Sequence, residues 1–229
     1  MTVISRTRDF IVAGCDSRVV LWGDGGYESL KCRKFAIGRR RNVLFLISGT
    51  WQGIKKNPRL VLERDVEELV NEEDSVYDVA RKAYEHLLPL YPKTGGRGWQ
   101  LQVCGFDSGI AKVYVVLSNP PPHRKTIEEV LNGAVTGTEG VFAFTKKRGV
   151  PPIGSLCSNE SEMIALMKNY MLEAVRFENE WSTRRNRPHM TDSRINILVV
   201  RPDVIEWKEP RYYYPKDEKR LERMLKRMP

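Results

Sequence analysis

The chain predicts an α+β fold built on antiparallel sheets. Strand-like segments come in blocks, helical segments are segregated from them, and no β-α-β alternation runs along the chain. No internal repeat or linker divides it, and 229 residues that are 41% hydrophobic are enough for one large domain with a sizeable core.

The elements follow in order. Thr2 to Ser5 alternates, Arg6 to Asp9 is a polar turn, and Phe10 to Gly14 is a nearly continuous apolar run, as in a strand covered on both faces. Arg18 to Trp22 reads as a strand leading into a Gly-Asp-Gly-Gly loop at 23–26, and Lys34–Ile37 and Asn42–Gly49 as two more joined by a basic turn. Asp65–Val70 is a short helical stretch. Ser75–Leu90 is a longer one, with Val76, Val79, Ala80, Ala83, Leu87 and Leu88 at helical spacing, Asp74 or Ser75 as cap and Pro89 and Pro92 as its end. Trp99–Phe106 and Ala111–Leu117 flank the turn Asp107-Ser108-Gly109 as a second hairpin, and a Pro-rich loop follows at 119–122. Gly140–Phe144 reads as a strand. Glu160–Glu178 reads as a helix with Asn159 and Glu162 as a capping box, and Ile195–Val200 is the last strand. The expected division is a domain over 1–204 and a basic extension over 205–229, whose 216–228 stretch is a charged helix candidate.

Composition narrows the chemistry. The cysteines Cys15, Cys32, Cys104 and Cys157 are scattered and the histidines are three, so a zinc site, a disulfide framework and a Ser-His-Asp triad have little material; neither a metal nor a cofactor is expected. No apolar run approaches the roughly 18 residues of a membrane span, and none near Met1 suits a signal peptide, so the expectation is a cytoplasmic protein without membrane contact. The net charge of +9 is spread over loops and the C-terminal segment without aromatic interleaving, which argues against specific nucleic-acid recognition.

A nucleophile that needs no imidazole is available at the N-terminus. An N-terminal threonine carries a hydroxyl and, on the same residue, an α-amine of ordinary pKa near 8, able to act as its general base. Thr2 would become such a residue once Met1 is removed. A hairpin turn centred on Asp9 places Thr2 opposite Asp16, and Lys34, at the start of a neighbouring strand, can reach the same spot.

Several motifs then converge. Phe10-Ile-Val-Ala-Gly-Cys-Asp-Ser-Arg18 resembles the second strand of proteasome β-subunits, which ends in an Ala-Asp-Ser-Arg-like motif. Lys34-Phe35-Ala36-Ile37 is similar to the strand that opens on that family's lysine, Leu46–Gly49 to its strand ending in a Ser-Gly turn, and Val103–Asp107 with Val113–Val116 to its later hairpin. The resemblance implies a four-layer αββα sandwich of the N-terminal-nucleophile (Ntn) hydrolase type. It implies Thr2 as nucleophile, Asp16 as the carboxylate that orients the lysine, Lys34 as the ammonium that eases ionisation of the hydroxyl, the Gly49 N–H as an oxyanion donor, and Ile47 as a wall of an apolar substrate pocket. The family's Gly-Ser-Gly-Ser strand-to-helix turn would fall on Gly154–Cys157, leaving Ser155 as supporting serine. Its Asp-x-x-Ser-Gly segment would fall on 188–192, where Pro188 replaces the aspartate and Thr191 and Asp192 are the supporting candidates. Trp51 stands where the family carries small residues.

The expected function is therefore that of a threonine-type endopeptidase or amidohydrolase, cleaving a polypeptide or another amide through an acyl ester on Thr2. By resemblance it forms a ring-like homo-oligomer, with an ATPase unfoldase as a possible partner. The departures at Cys157 and Pro188 raise the alternative of a non-catalytic, proteasome-like assembly subunit. A basic polyanion-binding protein is a further alternative, resting on the net charge.

Overall fold

The computed structural model describes residues 1–23, 26–49, 56–91, 98–149, 159–208 and 210–226. The strands are β1 (Thr2–Arg6), β2 (Ile11–Asp16), β3 (Arg18–Gly23), β4 (Gly26–Lys31), β5 (Phe35–Gly38), β6 (Val43–Gly49), β7 (Trp99–Asp107), β8 (Ile110–Leu117), β9 (Ile127–Glu129), β10 (Gly133–Thr136), β11 (Ile195–Val200) and β12 (Ile205–Trp207). The helices are α1 (Pro58–Val61), α2 (Glu67–Leu69), α3 (Val76–Leu90), α4 (Glu139–Arg148), α5 (Glu160–Thr183) and α6 (Pro215–Leu225), with a π-helical turn at Leu62–Val66 joining α1 to α2.

Two five-stranded sheets form, one in the order β10-β1-β2-β11-β12 and the other β5-β6-β7-β8-β9, with β3-β4 as a separate hairpin. The pairings are antiparallel throughout. Side-chain alternation gives each sheet two faces, and three cores use them. Ile4, Ile11, Ala13 and Leu198 of the first sheet pack with Phe35, Leu44, Leu46 and Val113 of the second. The opposite face of the first sheet, through Val3, Val12 and Ile197, packs on Val141 and Phe144 of α4 and on Met163, Met167 and Met171 of α5. The opposite face of the second sheet, through Phe45, Leu101 and Val103, packs on α1, α3 and the π turn. The mixed α+β architecture with antiparallel sheets is as expected, and the alternation of helices, sheet, sheet and helices is compatible with a sandwich. No helix among the described residues is long and apolar enough to cross a membrane.

Several local expectations need correction. The segment Gly140–Phe144, read as a strand, lies in α4. Its flanks explain the helix: Thr138 caps it by accepting from the Val141 N–H at 3.4 Å, Glu139 opens it, Lys146, Lys147 and Arg148 close it, and Gly149 ends it at φ +83°. A five-residue apolar run is ambiguous between strand and helix; here the flanking charges and caps decide. The first helical stretch begins earlier than Asp65, at Pro58. Helix α3 has Ser75 as its cap, in a capping box with Asp78, but runs through Pro89 to Leu90. Helix α5 extends five residues past Glu178 to Thr183.

The segment after residue 204 is not a free tail. β12 pairs with β11 and widens the first sheet. Trp207 meets Phe35 edge-on at 5.0 Å. Leu221 and Leu225 of α6 are buried against Leu21, Leu30 and Cys32.

Candidate active site

The site is set by one hairpin turn. The Thr7 hydroxyl accepts from the N–H groups of Asp9 and Phe10 at 3.2 and 3.0 Å, and the Thr7 N–H donates to the Phe10 carbonyl at 2.9 Å. The turn therefore closes over Arg8 and Asp9 alone and is centred between them, not on Asp9. Every pair moves by one residue: Thr2 stands opposite Cys15, Val3 opposite Gly14 and Ile4 opposite Ala13. The expected pairing of Thr2 with Asp16 is thus corrected. A one-residue change of register sends a side chain to the other face of its sheet.

Met1 occupies the place beside Asp16. The Asp16 N–H donates to the Met1 carbonyl at 3.2 Å, and the Met1 α-amine donates to Asp16 Oδ1. Lys34, just before β5, closes on the same carboxylate from the second sheet, with Nζ 2.9 Å from Oδ1 and 3.1 Å from Oδ2. The backbone N–H groups of Arg18 and Asp192 complete the shell at 3.1 and 3.2 Å from Oδ2. Asp16 is fully buried. Met1 is buried with Val3 and Val12 on the side facing α4 and α5.

The electrostatics follow from burial. Desolvation lowers the α-amine from its ordinary 8.0 to about 6, against the pull of Asp16 and with the push of Lys34. Burial alone would raise the Asp16 carboxyl, but Lys34 and the amine outweigh it and hold it below the usual carboxylate range. Burial pushes the adjacent Cys15 thiol up to about 12, so it is not a rival nucleophile.

Thr2 lies on the face that meets the second sheet. Its hydroxyl is 2.5 Å from the Thr136 hydroxyl, which is 2.6 Å from the Ser48 hydroxyl on β6. Thr136 pairs with Thr2 across β10 and β1. Sequence reasoning missed both Thr136 and Ser48. The signal was Thr136-Gly137-Thr138, a glycine flanked by hydroxyls between a strand and a helix, the kind of turn sought instead at Gly154–Cys157.

The remaining expected residues separate. Gly49 ends β6 at φ +85°, where an added Cβ would stand 2.7 Å from the Gly98 carbonyl oxygen; glycine is required there by its backbone alone. Ile47 is buried in the core beneath α1 and α3. The Thr191 hydroxyl donates to Glu178 Oε2 at 2.8 Å and so serves α5, not the Asp16 cluster. Asp192 joins the cluster through its N–H, while its carboxylate lies 3.7 Å from Arg18. Ser155, Cys157 and Trp51 lie outside the described residues.

No family model matches this chain. No curated protein matches it either.

The arrangement joins a depressed amine, a carboxylate and an ammonium group within hydrogen-bond reach. An amine of pKa about 6 is largely neutral at pH 7 and able to take a proton. The residue that carries the amine here, Met1, has no hydroxyl of its own. Among the described residues no three His, Cys, Asp or Glu side chains gather as a metal site would need.

Proposed function

We propose that the chain is a proteasome-like subunit of the Ntn-hydrolase fold, a threonine amidohydrolase whose site is blocked while Met1 is in place. The observation that carries this reading is the buried cluster of α-amine, Asp16 and Lys34 at the end of the β1–β2 hairpin. Replacing a buried ionic cluster by apolar side chains of like volume is often neutral or stabilising. A purely structural strand end gains little from keeping one, whereas perturbed, mutually coupled ionisable groups are characteristic of catalytic sites.

Removal of Met1 takes one donor from the Asp16 carboxylate, an amine largely neutral at pH 7, while Lys34 stays paired with it; the loss is that of a hydrogen bond to a charged group, on the order of 1.5–3 kcal/mol. If β1 advances by one residue, the Thr2 amine restores that hydrogen bond and Thr2 stands opposite Asp16. The advance carries Ser5 into the apolar place of Ile4, at on the order of 2–4 kcal/mol. It also draws Arg6 off the carbonyls of Ala111 and Leu131, to which it donates at 2.7 and 2.6 Å. Restoring the bond from the amine to Asp16 opposes these costs, and the state of residue 1 thereby biases the register.

In the advanced register the Thr2 hydroxyl attacks a substrate carbonyl and passes its proton to the Thr2 α-amine. The amine hands that proton to the departing nitrogen as the C–N bond breaks and the acyl ester forms. Water, deprotonated by the same amine, then hydrolyses the ester and regenerates the hydroxyl. Lys34, held by Asp16, stabilises the developing negative charge. By the same family resemblance the substrate is polypeptide, subunits close into a ring, an ATPase unfoldase is a possible partner, and the compartment is the cytoplasm.

The test is electrophile labelling of two forms, one released from a cleavable fusion so that it begins at Thr2 and one retaining Met1. Incubation with an epoxyketone or β-lactone and peptide mapping should give a single adduct on Thr2 in the first form. No adduct is expected in the second form or in Thr2→Ala. A Thr2-initiated chain that stays unlabelled refutes the hydrolase reading. That result would favour a non-catalytic assembly subunit, a reading supported by one observation: with Met1 present, the Thr2 hydroxyl is fully buried and engaged by Thr136.

A further inference from the structure

The C-terminal arm reaches back to the segment that carries Lys34. Pro215 opens α6, and the acids of its first turn, Asp217 and Glu218, turn toward residues 31–33. Asp217 Oδ2 accepts from the Lys31 N–H at 3.0 Å. Glu218 Oε1 accepts from the Arg33 N–H at 3.2 Å and from Arg33 Nε at 3.0 Å, and Oε2 accepts from Arg33 Nη2 at 3.3 Å and Arg59 Nη2 at 3.0 Å. Glu218 and Arg59 are buried. Both the backbone and the side chain of Arg33 are thus pinned by one carboxylate, one residue before Lys34. The Arg33 guanidinium also lies over the Tyr213 ring at 4.7 Å, and Leu221 and Leu225 seal the seam against Leu21, Leu30 and Cys32.

Residues 32–34 belong to no helix or strand. Two backbone bonds fix the ends of this connection, from the Cys32 N–H to the Ser17 carbonyl and from the Ile47 N–H to the Lys34 carbonyl, each at 2.7 Å. A lysine on such a connection has a long, rotamer-rich side chain, and holding its ammonium against a carboxylate on another sheet requires a fixed backbone. We propose that Glu218 is a positioning residue for the Lys34–Asp16 pair, acting through Arg33, so that the C-terminal arm sets the geometry of the site. Its consequence for catalysis rests on the amidohydrolase reading; the positioning itself does not.

The decisive experiment observes the lysine ammonium, not turnover. In the full chain labelled with [15N]lysine, the Lys34 ammonium, buried against Asp16, should give a slowly exchanging cross-peak, assigned by its disappearance in Lys34→Arg. Glu218→Gln, of nearly the same shape, should abolish that peak, and so should Arg33→Met, which leaves the Arg59–Glu218 pair in place. Leu21→Ala, which loosens the seam without touching the ion network, should lower the melting temperature but keep the peak. Should Glu218→Gln not fold, Arg33→Met decides alone. Survival of the peak in either folded variant, its loss in Leu21→Ala, or its absence from the parent overturns the proposal. Thr2 labelling is read in parallel: a Thr2-initiated parent that never labels refutes the hydrolase reading and leaves the ammonium result standing. If it does label, Glu218→Gln should slow labelling on the order of 100-fold, as a misplaced catalytic group does.

Discussion

Replacing Asp16 by asparagine tests the centre of the site. The carboxylate is fully buried and receives four kinds of donor: the Met1 amine, Lys34 Nζ, and the N–H groups of Arg18 and Asp192. Both oxygens accept, so an asparagine in either orientation turns an NH2 group against a donor. Breaking a buried pair while its partner stays charged costs on the order of 3–5 kcal/mol. At roughly 2–4 °C per kcal/mol for a domain of this size, the melting temperature should fall by roughly 6–20 °C. Urea unfolding at pH 7, followed by circular dichroism and tryptophan fluorescence, measures the loss. A double-mutant cycle sharpens it: Asp16→Asn with Lys34→Met should cost less than the sum of the single variants, by about 1–3 kcal/mol, because the second change removes the ion that the first strands. An Asp16→Asn variant within about 1 kcal/mol of the parent, or strictly additive single costs, would refute a desolvated, coupled pair and with it the argument that the cluster marks a site.

The pH dependence of the Met1-bearing chain follows from the two shifted groups. The amine is held below its unfolded value, so the unfolded chain binds more protons between pH 6 and 8 and stability should rise across that window, by up to about 3 kcal/mol; a flat urea midpoint there would contradict the burial of the amine. Asp16 is held below 3.8, so its stabilisation is present above that value and is lost as the pH falls through its folded pKa; Asp16→Asn should flatten the acid limb of the same titration. Gly49→Ala, which forces a Cβ against the Gly98 carbonyl at positive φ, should cost about 1–3 kcal/mol in urea unfolding, and an unchanged midpoint would mean the turn relaxes freely. Cys15, Cys32 and Cys104 are buried, and burial pushes all three thiols up, Cys15 and Cys32 to about 12, so mass-mapped alkylation of these three should track global unfolding; rapid alkylation of any of them in native buffer would contradict the packing between the sheets and under α6.

Periodicity and composition made the long elements legible. The apolar run over β2, the strand-like runs over β6, β7 and β8 and the capping residues of α3 and α5 are local signals, and the structure follows them. The strands β9, β10 and β12, of three or four residues, carry too few side chains for a period and owe their existence to the sheet edges they cover. α4 was misread because its apolar residues are contiguous and only its caps and terminal charges mark it as a helix. The partnership of Asp16 with Lys34 could be anticipated from spacing and resemblance. The registration of β1 could not, because it depends on whether the turn spans two residues or three, and that is decided by one hydroxyl, Thr7, capturing two backbone N–H groups. The same limit hid Thr136, whose relevance exists only once β10 is known to pair with β1.

That single register separates the two functional readings, and the side chains of β1 do not strongly fix it. Val3 and Ile4 are both apolar, so either can face the helices or the second sheet. Ser5 is buried on the helical side with no hydrogen-bond partner for its hydroxyl among the described residues, which costs the present register on the order of 1–3 kcal/mol. What holds the strand is the Thr7 turn, the Arg6 bonds, the Thr2–Thr136–Ser48 hydroxyl chain and the packing of Met1. Of these, only the packing of Met1 disappears when that residue is removed, and with it goes the amine that donates to Asp16 beside Lys34. The hydroxyl chain then competes directly with the carboxylate for Thr2: one arrangement offers neutral hydrogen bonds worth about 0.5–1.5 kcal/mol each, the other a hydrogen bond from the α-amine to a charged carboxylate, worth about 1.5–3 kcal/mol. Thr2 moving to Asp16 once it becomes the first residue is thus a change of a few kcal/mol set against the cost of displacing Ser5 and Arg6, and the register of the Thr2-initiated chain is what separates a masked catalytic site from a vestige.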